Sequence, residues 1–320
     1  MRSRPVAPSH VAATLRPGLT ERSVPVWTPD LAVDEPLVRA LLAQFPELDG
    51  APLRRLAAGW DNSVWIVAER YAFRIPHREI AIPGVERELA VLPQLAPLLP
   101  LPVPRPVFVG APAEGYPWPF FGAALLPGEE AGSAELDEEQ RLEVALELAR
   151  FLRALHTVEL DLRLPRDPNG REDMARRTGL ARDDLLQLER LGVWSAPAAA
   201  GELLDGAELL PPPEAPVVAH GDLHFRHLLV DGGHASGVID WGDVCVADPA
   251  IDLALLWSFV GPDQRGAFLE AYGPVTEAQL VRARVLALQL CATLAHYGRS
   301  ERNETVERAG VDGLERTLAG

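Results

Sequence analysis

Cysteine is almost absent: Cys245 and Cys291 are the only two in 320 residues. Two thiols cannot build a disulfide framework and fit a reducing compartment, so the chain is expected to be cytoplasmic. Long apolar runs are scarce too. The longest, "LALLWSFVG" at 253–261, is too short to span a bilayer, and residues 1–27 lack the continuous apolar segment of a signal peptide. Positive charge is in deficit, with a formal net charge of -16 and a pI of about 4.9. Such a surface repels phosphate backbones and anionic lipid, so neither nucleic acid nor membrane is an expected partner.

What remains is the profile of a folded chain with a sizeable core: 48% hydrophobic, 24% charged, mean hydropathy +0.02. The length exceeds one hydrophobic core, which predicts two lobes and a cleft between them. Residues 1–30 carry scattered Pro, Ser and Arg without a period and are expected to form a loosely held leader. Asp34 caps a short helix over "DEPLVRALLAQF", two β-rich runs and a third strand at "YAFRIP" form a meander, and "GVERELAVLPQL" is helical. The stretch 97–119 is punctuated by proline, and "PFFGAALLPG" gives an apolar strand that stops at Pro127. In "DEEQRLEVALELARFLRALH" the stripe Leu142, Leu146, Ala149, Leu152 and His156 predicts an amphipathic helix, with His156 packed at its end. Residues 157–216 hold short helical pieces and a rigid "LLPPPEAP" spacer, and the chain beyond residue 250 is helical in pattern.

Residues 217–257 gather four of the eight histidines and six aspartates. On a helix, His220, His224 and His227 would share a face that zinc could use. However, "APVVAHGD" and "HLLV" are β-rich and "DGG" is a hairpin turn signal, so a zinc cage is not expected. The aspartates carry more. Asp222 follows a glycine just after a strand, and Asp240, 18 residues on, closes the returning strand of the hairpin. Two carboxylates at one end of adjacent strands can divide two tasks, one orienting a hydroxyl and the other holding a divalent cation.

"HGDLHFRH" followed by "GVIDW" resembles the catalytic loop and metal-binding segment of the aminoglycoside phosphotransferase family, the small-molecule relatives of protein kinases. The resemblance implies an α+β, protein-kinase-like bilobal fold. A small β-rich N-lobe would span residues 31–126, and a larger, mainly helical C-lobe residues 127–320. It implies Asp222 as the catalytic base, His227 and Asp240 as ligands of Mg²⁺, and ATP or GTP as phosphoryl donor. "YAFRIP" matches the strand bearing the phosphate-binding cation, here Arg74 in place of the family's Lys. "VEREL" matches the helix bearing its partner, Glu88, with Glu86 as the neighbouring choice. The glycine-poor "AAGWDNS" matches the phosphate cover, with backbone amides near Asn62 and Ser63. "AALLPG" matches the linker whose main chain at Leu125 and Leu126 pairs with the purine. His227 stands where the family usually has Asn; a macrolide phosphotransferase branch is similar in carrying His there and in continuing into "IDW" and "DPAIDLA".

The partners implied are a nucleotide and a small-molecule hydroxyl acceptor: a macrolide, an aminoglycoside or a metabolic alcohol, bound by a monomer or homodimer. Asp183 and Asp184 could attract a cationic amine. His220 is expected to order the loop through backbone hydrogen bonds, and Asp248 and Asp252 to anchor it from a helix start. The exchanges at Arg74 and His227 keep open a rival reading, a nucleotide-binding module without catalysis. A protein kinase is disfavoured, because no "DFG" or "APE" segment follows.

Overall fold

The computed structural model describes residues 29–319 apart from Trp60 and Glu214, so the expected leader lies outside the described residues up to position 28. Asp30 and Leu31 already donate backbone hydrogen bonds to the His77 carbonyl. Asp34 caps α1 (Glu35–Leu42), its carboxylate accepting the Leu37 N–H at 3.0 Å. An antiparallel sheet follows, made of β1 (Leu53–Ala58), β2 (Asn62–Val67), β3 (Tyr71–Pro76), β4 (Pro106–Gly110) and β5 (Phe120–Ala124) in the order β1-β2-β3-β5-β4. Between β3 and β4 lies α2 (Ile82–Leu95). One face of the sheet packs Phe73, Phe108 and Phe120 against Val38, Leu41 and Leu42 of α1. β4 falls inside the proline-punctuated stretch 97–119. It is an edge strand, where a proline's missing N–H breaks no ladder.

Past residues 125–128 the chain enters a second body. β6 (Glu129–Glu130) pairs with β8 (Leu228–Asp231), which forms a hairpin with β9 (His234–Val238). The hairpin turns at Gly232 and Gly233, both left-handed (φ 58° and 84°), as two-residue turns require. β7 (Val217–Ala219) pairs with β10 (Cys245–Ala247). The rest is helical: α3 (Glu138–His156), α4 (Met174–Arg190), α5 (Ala198–Ala207), α6 (Ala250–Phe259), α7 (Arg265–Tyr272), α8 (Glu277–Glu301) and α9 (Glu304–Leu318).

α3 opens on a capping box between Asp137 and Gln140. Its buried face runs through Leu148, Leu152 and Leu155, while Leu142 and Leu146 are only half-buried, so the predicted stripe is rotated from the true one. α8 is long and apolar enough, by length and composition, to cross a membrane; 56% of that window is buried inside the protein, against α4, α6 and α9.

Candidate active site

The loop after β7 is held from below. Asp252, on the buried first turn of α6, accepts the His220 N–H at 2.7 Å and the Gly221 N–H at 3.0 Å. His156 Nε2 lies 3.1 Å from the same carboxylate, and its Nδ1 meets the Tyr272 hydroxyl at 2.7 Å. Burial would raise the Asp252 pKa; His156, His220 and the Gly221 N–H together outweigh it and hold the pKa below the usual carboxylate value. Gly221 is left-handed (φ 88°), and a Cβ there would lie 2.3 Å from the Asp243 carbonyl, so no larger residue fits. Both His220 nitrogens are spent on backbone: Nε2 on the Ile239 carbonyl at 3.0 Å and Nδ1 on the Asp222 N–H at 3.2 Å. Asp248 caps the start of α6 through the Ala250 N–H and pairs with Arg282 at 3.1 Å.

Asp240 leaves β9 in the left-handed region (φ 65°), a conformation that costs a non-glycine residue on the order of 1 kcal/mol and is overdetermined by its neighbours. Those neighbours come from the N-terminal sheet and α2. Arg74 places Nη2 2.8 Å from Asp240 Oδ1 and Nε 3.0 Å from Glu88 Oε2, while Glu88 Oε1 accepts the Trp241 N–H at 3.0 Å. Gly84 of α2 lies against Gly242, whose carbonyl also accepts Arg87. Burial opposes the charge on Arg74, but Asp240 and Glu88 outweigh it and hold its pKa above the usual arginine value. Glu88, only 2% exposed, is pushed up by burial despite Arg74. Glu86 is exposed, so Glu88 is the partner that forms.

His227 lies between the two aspartates. Its Nδ1 donates to the Asp222 carbonyl at 2.8 Å, which leaves Nε2 as the bare nitrogen, 3.5 Å from Asp240 Oδ2. Two donors at that separation suit adjacent positions on one divalent cation, so the pair fits a metal; the imidazole makes it a softer site than carboxylate and amide oxygens would. Asp222, His224 and His227 also bring one donor atom each within 4.8 Å of one another. His224 Nδ1, however, accepts the Arg226 N–H, so its Nε2 carries the proton and has no lone pair for zinc. Burial holds the His220 and His224 pKa values below the usual histidine value, and the His224 ring rests 3.8 Å from that of His227.

Asn62 and Ser63 do not lie on a loop. Both belong to β2, paired with Pro76 and Ile75, and the Ser63 hydroxyl faces Arg55 at 3.2 Å; β1 ends at Ala58 and β2 begins at Asn62. The Leu125 N–H donates to the Arg70 carbonyl at 2.8 Å and is unavailable to a purine, whereas no bond to the Leu126 N–H is seen among the described residues. Asp183 is exposed, and Asp184 accepts the Thr293 hydroxyl of α8 at 2.7 Å. Two residues escaped the sequence reading. Arg171 Nη2 lies 2.7 Å from Asp222 Oδ1 and 2.8 Å from Asp243 Oδ2. The turn-forming "DPNGRE" signalled a structured loop but not its target.

Comparison with known proteins agrees with this architecture. An aminoglycoside 3'-phosphotransferase of Escherichia coli is 31% identical over 145 residues, 44% of this chain and 49% of that protein. The chain spans about half or less of the length of the curated relatives it matches. Among solved structures, the GDP and kanamycin complex of APH(2″)-IIIa has a TM-score of 0.66 at 20% identity, covering 88% of this chain and 97% of that one. Macrolide 2'-phosphotransferase type I has a TM-score of 0.55 at 25% identity, covering 89% and 98%. The fold is therefore the expected α+β, kinase-like bilobal one. With residues 52–286 matching its sequence pattern, the chain belongs to the phosphotransferase enzyme family.

Proposed function

We propose that this protein transfers the γ-phosphoryl group of ATP or GTP to a hydroxyl of a small molecule, with macrolide- or aminoglycoside-like acceptors ranked first. The observation that carries the reading is the convergence on His227: Asp222 Oδ2 lies 3.8 Å and Asp240 Oδ2 3.5 Å from its ring nitrogens. One carboxylate thus stands on each side of His227, one placed to orient an acceptor hydroxyl and the other to share a cation with the imidazole, the two tasks that phosphoryl transfer divides.

The acceptor hydroxyl approaches Asp222 Oδ2, because Oδ1 is engaged by Arg171. Its oxygen forms a bond to the γ-phosphorus while the bond from that phosphorus to the bridging oxygen breaks, and the nucleoside diphosphate leaves with that electron pair. The hydroxyl proton passes to Asp222 late in the transfer. A Mg²⁺ ion held by His227 and Asp240 would neutralise charge on the phosphate oxygens. Arg74 exchanges Asp240 for the α and β phosphates while Glu88 keeps its position. Main-chain groups at Leu126 and the Leu125 carbonyl meet the purine, and the junction of β1 and β2, at Asn62 and Ser63, covers the phosphates.

The acceptor preference rests on likeness alone: kanamycin in the APH(2″)-IIIa complex and the macrolide phosphotransferase among the structural neighbours. A cytoplasmic setting agrees with two free, buried cysteines. The exchange at Arg74 follows the composition of the chain, which contains no lysine at all: every one of its 30 Lys-or-Arg positions is arginine. The test is a screen of ATP and GTP, with Mg²⁺, against macrolides, aminoglycosides and small amino alcohols. Phosphorylation of an acceptor hydroxyl is expected. Nucleotide-dependent thermal stabilisation with no turnover of any acceptor would favour the non-catalytic module instead.

A further inference from the structure

Arg171 reaches Asp222 from a segment that is unusually well fastened. Residues 165–173 form a strap between α3 and α4. The Val246 N–H donates to the Pro165 carbonyl at 2.9 Å, and the Asp167 N–H to the Val246 carbonyl at 3.1 Å. Asp167 folds back, its two oxygens accepting the Arg171 and Glu172 N–H groups at 2.8 Å each. Glu172 accepts the Asp248 N–H at 2.6 Å, and Arg177 clamps the Gly170 and Asn169 carbonyls at 3.0 and 2.6 Å. None of these bonds uses the Arg171 side chain. The strap therefore holds its shape independently of the guanidinium, which is 18% exposed and spans two carboxylates.

We propose that Arg171 is a positioning residue for phosphoryl transfer: it engages Asp222 Oδ1 so that Oδ2 is presented to the acceptor hydroxyl, with Asp243 as its second anchor. The inference rests on the phosphotransferase reading. An arginine suits the task because its planar, permanently charged fork fixes direction as well as charge, whereas an ammonium is a point charge on a flexible stem. Asp243 matters because one nitrogen, Nη2, serves both carboxylates: its two N–H groups are divided between Asp222 Oδ1 and Asp243 Oδ2, and without Asp243 it would be free to turn away from Asp222. Catalytic groups displaced by about 1 Å lose rate by about 100-fold, so a positioning residue should be legible in kcat.

The experiment compares Arg171→Gln, Arg171→Lys, Asp243→Asn and the Arg171→Gln/Asp243→Asn double variant. Arg171→Gln is expected to lower kcat by about 10- to 100-fold with the nucleotide KM within about threefold of wild type. Arg171→Lys should recover part of the loss, and the double variant should be no worse than Arg171→Gln, since both changes break one linkage. Crystal structures of wild type and Arg171→Gln should show the Asp222 carboxylate leaving its wild-type orientation. That readout does not need turnover: if wild type phosphorylates nothing, the phosphotransferase reading fails and the crystal structures alone decide what Arg171 does. Wild-type kcat in Arg171→Gln, an unmoved Asp222 carboxylate or additive losses in the double variant would overturn the proposal. So would an Arg171→Gln protein that fails to fold, because Arg171 would then be a structural member of the strap.

Discussion

Asp222 and Asp240 each meet an arginine at less than 3 Å, yet the two arginines arrive from opposite parts of the chain. Arg171 belongs to the helical body that also carries Asp222; Arg74 comes across from the N-terminal sheet. The electrostatic outcomes differ as well. Burial works against the charge on Asp240, but the ion pair and hydrogen bond with Arg74 lead the effects that hold its pKa below the usual carboxylate range. Asp222 shares its arginine with Asp243, so burial prevails and its pKa is raised. The same ion-pair chemistry thus prepares one carboxylate to stay charged, as a metal ligand must, and the other to take a proton.

The sharpest way to break this division is to remove each carboxylate. Asp222→Asn and Asp240→Ala should each reduce phosphoryl transfer by about 10³-fold or more with the circular dichroism spectrum unchanged; near-normal turnover in either purified variant would refute the assignment. The wall behind both groups is Trp241, fully buried between His220 and Phe151 and donating to the Val238 carbonyl at 2.9 Å. Trp241→Ala should cost about 3–5 kcal/mol in urea unfolding, and a loss under about 1 kcal/mol would mean the two loops are held by something else.

The metal side can be sharpened by His227→Asn, which exchanges a nitrogen donor for a harder oxygen. The ratio of Mg²⁺- to Mn²⁺-supported turnover should rise severalfold, and an unchanged ratio would remove His227 from the metal's ligands. The histidines around Asp222 make a pH test. His220 and His224 have depressed folded pKa values, so below the unfolded value of about 6.5 the unfolded chain takes protons that the folded chain refuses. Stability should be unaffected by them above about pH 6.5 and fall below it, by up to about 1.4 kcal/mol per pH unit for each ring; His224→Leu should flatten that limb of the thermal melts. Asp222, with a raised pKa, contributes with the opposite sign, its stabilisation being lost as pH rises through its folded value. At the small end, the exposed Glu35–Arg39 pair of α1, 2.6 Å apart, marks what an arginine–carboxylate contact contributes outside the site. Arg39→Ala should change stability by less than about 0.5 kcal/mol, and a larger loss would show that solvent does not separate the two classes of pair.

Much of this was legible because it is local. The Asp34 cap, the Gly232–Gly233 turn and the spacing from Asp222 to Asp240 are properties of short segments, and the last two carry the hairpin that brings the two aspartates together. Glu88 was preferred to Glu86 from the sequence, and it is the one buried against Arg74, while Glu86 is exposed. Asn62 and Ser63 were read as loop because Gly59 begins the turn, whereas pairing with β3 draws them into the sheet. β4 hid behind its prolines. Arg171 could not be found at all: it lies 51 residues before Asp222, in a segment without periodicity, and only folding places it there.

The bond from Arg74 to Asp240 also sets how nucleotide affinity should be understood. A guanidinium already satisfied by a carboxylate acts as an intramolecular competitor, so binding exchanges one ion pair for another and creates few from nothing. Measured affinity will therefore understate the strength of the phosphate contact, and the difference is stored in the joint between the sheet and the hairpin.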